Sequence, residues 1–277
     1  MRLTLATAAC IGLPVFTGAV PLLAQMRNNT EKQMTCENRG ILLRGGGGAR
    51  HCEIREQTLP SFGRLSVEGH NGSATVKGWQ RSDVLVRARV DSEAETQSEA
   101  DLLATQVSID SGSGQVRSIG PDSLENAQWS VSYEIFVPQS TDLDVKTHNG
   151  EVSISDVHGE IRFDAHNGGV SLKRVAGDVS GGTHNGEINA EMMGSVWDGR
   201  QLDVWTHNGD ITLGMPAGYS AHVQAETTGG RIQSDFPVTV TGELKPQRLD
   251  TNIGSGGSLL HVTTHNGQVL LKRAGTQ

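Results

Sequence analysis

Aromatic residues are scarce, with Phe, Trp and Tyr together making up 4% of the 277 residues. A compact α/β enzyme of this length builds its core from large apolar side chains, and at 35% hydrophobic this chain has few to offer. Excess positive charge is also lacking. Lys and Arg number 23 against 31 Asp and Glu, a net charge of −8. No cluster of Lys and Arg stands out, so nucleic acid is excluded as an expected partner. Motifs for covalent and phosphoryl chemistry are missing as well. There is no Gly-x-Ser-x-Gly elbow and no Gly-Lys-Ser/Thr loop, and "RGGGGAR" lacks a strand before it and a helix after it. Asp156, Lys173, Arg174 and Asp178 are scattered among other residues rather than grouped as a glycosidase would need. No enzyme activity, catalytic residue or cofactor is assigned.

Cysteine is limited to Cys10, Cys36 and Cys52. The first falls in "LTLATAACIGLPVFTGAVPLLA", an apolar run preceded by Arg2 and interrupted by Gly12, Pro14, Gly18 and Pro21. That pattern reads as a secretory signal peptide over residues 1–24, cut near Ala24, rather than a membrane-spanning helix. A lipoprotein signal would place Leu three residues before Cys10, where Thr7 stands. Export is therefore expected, to the periplasm, the cell surface or the exterior, with no transmembrane span in the mature chain. Under those conditions Cys36 and Cys52 are expected to form a disulfide, worth about 3 kcal/mol by loop closure. A zinc site there would need ligands beyond His51, and the sequence nearby supplies none.

What the chain has in abundance is glycine, 35 residues of it, and internal repetition. The triplet His-Asn-Gly occurs at residues 70–72, 148–150, 166–168, 184–186, 207–209 and 265–267. The three at 148, 166 and 184 are 18 residues apart, and Gly150, Gly159, Gly168, Gly177 and Gly186 step by nine. "TTGGRI" (227–232) and "SGSGQV" (111–116) align as degenerate copies. Between corners the apolar residues alternate, as in Leu143, Val145, Thr147 before a triplet and Val152, Ile154 after it. Period two means strands with one apolar face. Each strand offers only two or three inward side chains, so a core requires coils stacked on one another. The expected fold is all-β: a parallel β-helix-like solenoid of roughly 18-residue coils. An antiparallel β-sandwich is the alternative, because Asn-Gly also marks hairpins. Residues 25–60 are expected to form an N-terminal segment holding the disulfide, and 61–277 the repeat domain. Within it, 91–128 interrupts the strands, and "SEAETQSEADLLATQ", beginning at Ser92, predicts one short helix.

These features resemble the bacterial "putative-adhesin" family of exported β-strand-repeat proteins. The resemblance rests on "GWQRSDVLVRARV", on "YEIFVP" before the regular repeats, and on the final "THNGQVLLKR", and it covers about residues 60–275. It implies a cell-surface or periplasmic setting and supplies no catalytic residue.

The pairs Asn71-Gly72, Asn149-Gly150, Asn167-Gly168, Asn185-Gly186, Asn208-Gly209 and Asn266-Gly267 are expected as structural turns, since both residue types tolerate left-handed backbone. The histidine is not explained by a corner. Alternation points it outward, so His148, His166 and His184 would form a surface row at one-coil spacing. Such a row could hold Zn²⁺, Ni²⁺ or Cu²⁺, with Glu151, Glu187 and Asp210 as irregular oxygen neighbours. Calcium is not expected, because β-roll turns carry Asp where this chain carries His and Asn. Stacked imidazoles would also repel one another on protonation, lowering stability between pH 7 and 5. Trp79, Trp129, Trp197 and Trp205 are spaced irregularly and read as corner covers before sugar platforms. The functional expectation is an exported, non-catalytic structural or adhesion-type protein of the bacterial envelope, with a cell-surface glycan or an envelope protein as the partner class. The alternatives are a metal-binding envelope protein and a carbohydrate-active β-helix.

Overall fold

Two ten-stranded sheets lie face to face, and the chain passes from one to the other at each His-Asn-Gly corner. The structure, a computed structural model, describes residues 34–36, 48–122, 126–238 and 246–274. The expected signal peptide, residues 1–24, lies outside the described residues.

The first strand, β1 (Ala49–Pro60), is followed by β2 (Arg64–Asn71), β3 (Ala74–Trp79) and β4 (Asp83–Ala94). Helix α1 (Gln97–Gln106) leads to β5 (Ser108–Asp110), β6 (Gln115–Ile119) and β7 (Gln128–Pro138). The regular coils come next: β8 (Asp142–Asn149) with β9 (Val152–Ser155), β10 (His158–Asn167) with β11 (Val170–Lys173), and β12 (Ala176–Asn185) with β13 (Ile188–Glu191). They continue as β14 (Gln201–Asn208) with β15 (Ile211–Met215), and β16 (Ala221–Thr227) with β17 (Ile232–Ser234). After β18 (Arg248–Ile253) the last coil is β19 (Leu259–Asn266) with β20 (Val269–Arg273).

Sheet B, which includes the strands that run into the triplets, has the order β18-β16-β19-β14-β12-β10-β8-β2-β6-β5. Sheet A, which includes the strands that leave them, has the order β1-β4-β7-β3-β9-β11-β13-β15-β20-β17. From β2 to β16 and from β3 to β17 every pairing is parallel. The fold is the expected solenoid, and the Asn-Gly corners join strands of opposite sheets rather than hairpin partners, which sets the sandwich aside.

Side chains explain the register. In sheet B, Leu143, Ile161, Val179 and Leu202 form one inward column, and Val145, Phe163, Gly181 and Val204 the next. Phe163, the bulkiest of these, lies against Gly181, where a Cβ would come within 2.8 Å of its ring. In sheet A, Val152, Val170, Ile188 and Ile211 face them. All except Gly181 are buried, and a one-residue slip would turn each column to solvent.

The ends depart from the simple repeat. Strand β1, expected as part of an extended segment, pairs antiparallel along its whole length with β4. Cys52 on β1 is bonded to Cys36, with Cα atoms 5.7 Å apart. Helix α1 starts later than Ser92, which lies in β4 with its hydroxyl donating to the Ala100 carbonyl. The cap is Thr96, in a reciprocal capping box with Glu99. "SGSGQV" is not a copy of the triplet corner. Its glycine precedes β6, a sheet B strand, and Ser113 and Gly114 take φ of 53° and 78° in the β5–β6 hairpin. "TTGGRI" does occupy the triplet position, between β16 and β17. At the far end, β19 and β20 lie between the β14–β15 coil and the β16–β17 coil, although they come last in the chain.

Candidate functional site: a histidine row and its groove

Six sheet B strands, β2, β8, β10, β12, β14 and β19, end with a buried Thr or small residue, then an exposed His, then Asn and Gly. In-register parallel stacking therefore repeats every triplet atom along the solenoid axis. The Asn side chains form a ladder: the Nδ2 of Asn149, Asn167, Asn185, Asn208 and Asn266 donates to the Oδ1 of Asn71, Asn149, Asn167, Asn185 and Asn208, respectively. The Gly N–H groups donate to the Asn carbonyls of the next coil, as Gly150 does to Asn167 at 2.9 Å. From inside, the Thr147, Thr183, Thr206 and Thr264 hydroxyls donate to Gly carbonyls of the same row.

Left-handed backbone is not the reason for these residues. None of the six asparagines has a positive φ, and of the triplet glycines only Gly72 and Gly209 do. Glycine is required by contact: a Cβ on Gly150, Gly168, Gly186, Gly209 or Gly267 would fall 1.9–2.1 Å from the carbonyl oxygen of the glycine one coil away. Asparagine fits because its amide donates and accepts once per coil, as a ladder needs.

The histidines stack. Ring centroids are 5.6 Å apart for His70 and His148, 4.8 Å for His148 and His166, 4.9 Å for His166 and His184, and 4.7 Å for His207 and His265. The first two and the last are parallel within 8°, and His166 and His184 are tilted by 43°. Between His184 and His207 the stack is replaced by Trp205, whose ring meets His184 edge-on at 5.3 Å. Trp205 lies over Gly182, where any Cβ would be 2.4 Å from the indole.

The row thus brings together His148, His166 and His184. Rings face to face aim their in-plane lone pairs side by side, not at a common point. Two nitrogens on one Zn²⁺ can be at most about 4.2 Å apart, given bonds of about 2.1 Å, and the parallel rings of His148 and His166 are 4.8 Å apart. Among the described residues no three His, Cys, Asp or Glu side chains converge to hold an ion. Asp210, one of the expected oxygen neighbours, instead accepts from the Gln268 N–H at 2.7 Å.

The six triplet histidines differ from the other four. His51 and His261 bond to Asp101 and Asp203 at 2.8 and 2.7 Å, His222 bonds to Asn252, and His158 lies 3.7 Å from Asp198. The triplet imidazoles have no hydrogen-bond or ion-pair partner among the described residues, only each other and Trp205.

Beside them runs a groove of about 1060 Å³. His70, His148, His166 and His184 line it, and residues 117–122 with Trp129 close it beyond His70, where β6 pairs with β2. Glu68, Lys146 and Asp164 lie along it. A second hollow of about 370 Å³, sharing Lys146 and Asp164, continues to Trp205. Behind Glu68, burial pushes the Tyr133 phenol up to about 12, and the Glu68 carboxylate adds to the rise. Tyr133 therefore stays neutral.

The tryptophans divide. Trp197 is buried, donating to the Gly177 carbonyl, and Trp79 is stacked on Phe136 beneath Arg81. Trp129 is half-buried in the groove wall, anchored by its N–H to the Pro121 carbonyl. Trp205 is 38% exposed. Sequence reading placed Trp205 among the corner covers ahead of a sugar platform, and missed the 117–122 wall. The signal present was Gly182, the gap in the outward row of Lys146, Asp164, Gly182 and Trp205. It was hidden because the β13–β14 connection makes that one coil 23 residues long instead of 18.

Two solved structures resemble the chain. One is a "putative cell adhesion protein" from Clostridium sporogenes, at 12% identity and a TM-score of 0.39, covering 80% of this chain and 100% of that one. The other is a "putative adhesin" from Bacteroides fragilis, at 11% identity and a TM-score of 0.40, covering 80% and 97%. No curated protein matches it. A family model does, over residues 58–272, and by that match the protein belongs to the Toastrack DUF4097 family.

Proposed function

We propose that this is an exported, non-catalytic adhesion module of the bacterial envelope, which holds a surface partner against the outer face of sheet B. The observation that carries the reading is the set of triplet imidazoles left without partners on a backbone too closely stacked to deform. A rigid face whose polar groups are unpaired is already organised for a ligand, so little ordering cost is added on binding. Export is supported by the apolar, singly charged N-terminus and by the Cys36–Cys52 bond, which persists in oxidising compartments. No described helix is long and apolar enough to cross a membrane.

The test is fractionation of the producing cell, followed by sedimentation of the purified chain with isolated envelopes. Recovery outside the cytoplasm and co-sedimentation that falls in a His148→Ala/His166→Ala variant are expected. A cytoplasmic protein that binds no envelope would end this reading. The metal reading uses the same row and needs ring rotation to bring nitrogens together. Titration calorimetry with Zn²⁺ and Ni²⁺ separates the two, because micromolar metal gives no heat if the row serves as a contact face.

A further inference from the structure

We infer that the groove from Trp129, along the histidine row, to Trp205 is a cleft for a linear, uncharged oligosaccharide. This rests on the adhesion reading and gives it a ligand class. Stacking covers the ring faces of His148 and His166, so their edges are what the groove presents. A neutral imidazole edge carries one donor and one acceptor. A sugar hydroxyl also donates and accepts, so hydroxyl and imidazole satisfy each other in either direction. These donor–acceptor edges recur once per coil along three coil spacings, about 14 Å, and a pyranose ring is close to one spacing in length.

At one end of the row the exposed Trp205 offers an aromatic surface for the C–H face of a sugar, and at the other stands the half-buried Trp129. The alternatives fit less well. An extended peptide repeats same-side groups every 6.6–6.8 Å, out of step with the rings. A polyanion meets more carboxylates than cations: Glu68, Asp122, Asp144, Asp164 and Asp203 against Arg117, Lys146 and Arg162.

The experiment is titration calorimetry of the full chain, with tryptophan fluorescence read in parallel. The probes are cello-, chito-, malto- and xylo-oligosaccharides of two to six units. Binding of at least one series is expected, tightening with chain length and shifting the emission of Trp205. Trp205→Ala and His148→Ala/His166→Ala should each weaken it at least tenfold, and His222→Ala, on the same sheet outside the groove, should leave it within twofold. Unchanged melting temperatures establish that the variants fold. The inference is overturned if no series binds at millimolar concentration, or if binding survives both groove variants. Envelope binding by the same samples separates the two failures. Envelopes bound without oligosaccharide binding sink the glycan and leave the adhesion reading standing, and binding of neither sinks both.

Discussion

Each regular coil turns two corners, and the two differ in how far the sequence beside a shared glycine contact can vary. At the triplet corner the backbones of successive coils are in contact, and residues 148–150, 166–168 and 184–186 are the same three residues. At the other corner the connection varies: "DV" between β9 and β10, "RV" between β11 and β12, and nine residues, Met192–Arg200, between β13 and β14. Asp156 and Arg174 take φ of 59° and 53° there and are joined by two hydrogen bonds of 2.6 Å, side chain to side chain. This corner also carries a glycine stack, since a Cβ on Gly177 or Gly199 would fall 2.2 or 1.9 Å from the carbonyl oxygen of Gly159 or Gly177. Beside that stack, where side chains span the gap, different residues and lengths are admitted.

The contrast can be broken most sharply at Gly168. Its Cβ would lie 2.0 Å from the Gly150 carbonyl oxygen, with no flexible side chain to move aside. Gly168→Ala is expected to cost more than about 4 kcal/mol or to abolish folding. Gly169→Ala next to it, whose nearest neighbour is at 3.4 Å, should change urea stability little. Thr183→Val comes next. It leaves a buried site without the hydroxyl that donates to the Gly168 carbonyl, at a cost of about 1–3 kcal/mol in the same unfolding measurement. Asn167→Ala removes two ladder bonds, but in water's reach, and about 1 kcal/mol is expected. At the other corner Arg174→Ala removes the exposed pair with Asp156 and should cost less than about 1 kcal/mol. If Arg174→Ala proves as damaging as Gly168→Ala, the second corner is no more tolerant of change than the first.

The sequence made the coil legible because the coil is local. The nine-residue half-step and the alternation of Leu143, Val145 and Thr147 are both printed in consecutive residues. The row followed from the 18-residue spacing alone, and it extends to His70, His207 and His265 because their strands stack in register. What distant segments decide was not legible. Glycine at the corner is explained by the neighbouring coil's carbonyl, not by its own φ. "SGSGQV" looked like a triplet copy because a hairpin also wants Gly and Ser, and only pairing shows which sheet follows. Trp205 depends on Gly182, and the longer coil between them conceals the relation.

The placement of β19 and β20 has a consequence for assembly. Residues 221–234 are synthesised before residues 259–273, yet the later segment separates them from β14 and β15. A chain folding as it emerges meets the β14–β15 edge first with β16 and β17, whose Val223 and Ala225 offer the same inward pattern as Leu260 and Val262. Docking there early closes the slot that the C-terminal segment must occupy. Maturation therefore requires that this slot stay open until residues 259–273 have emerged, or that a mispaired coil let go before they can enter.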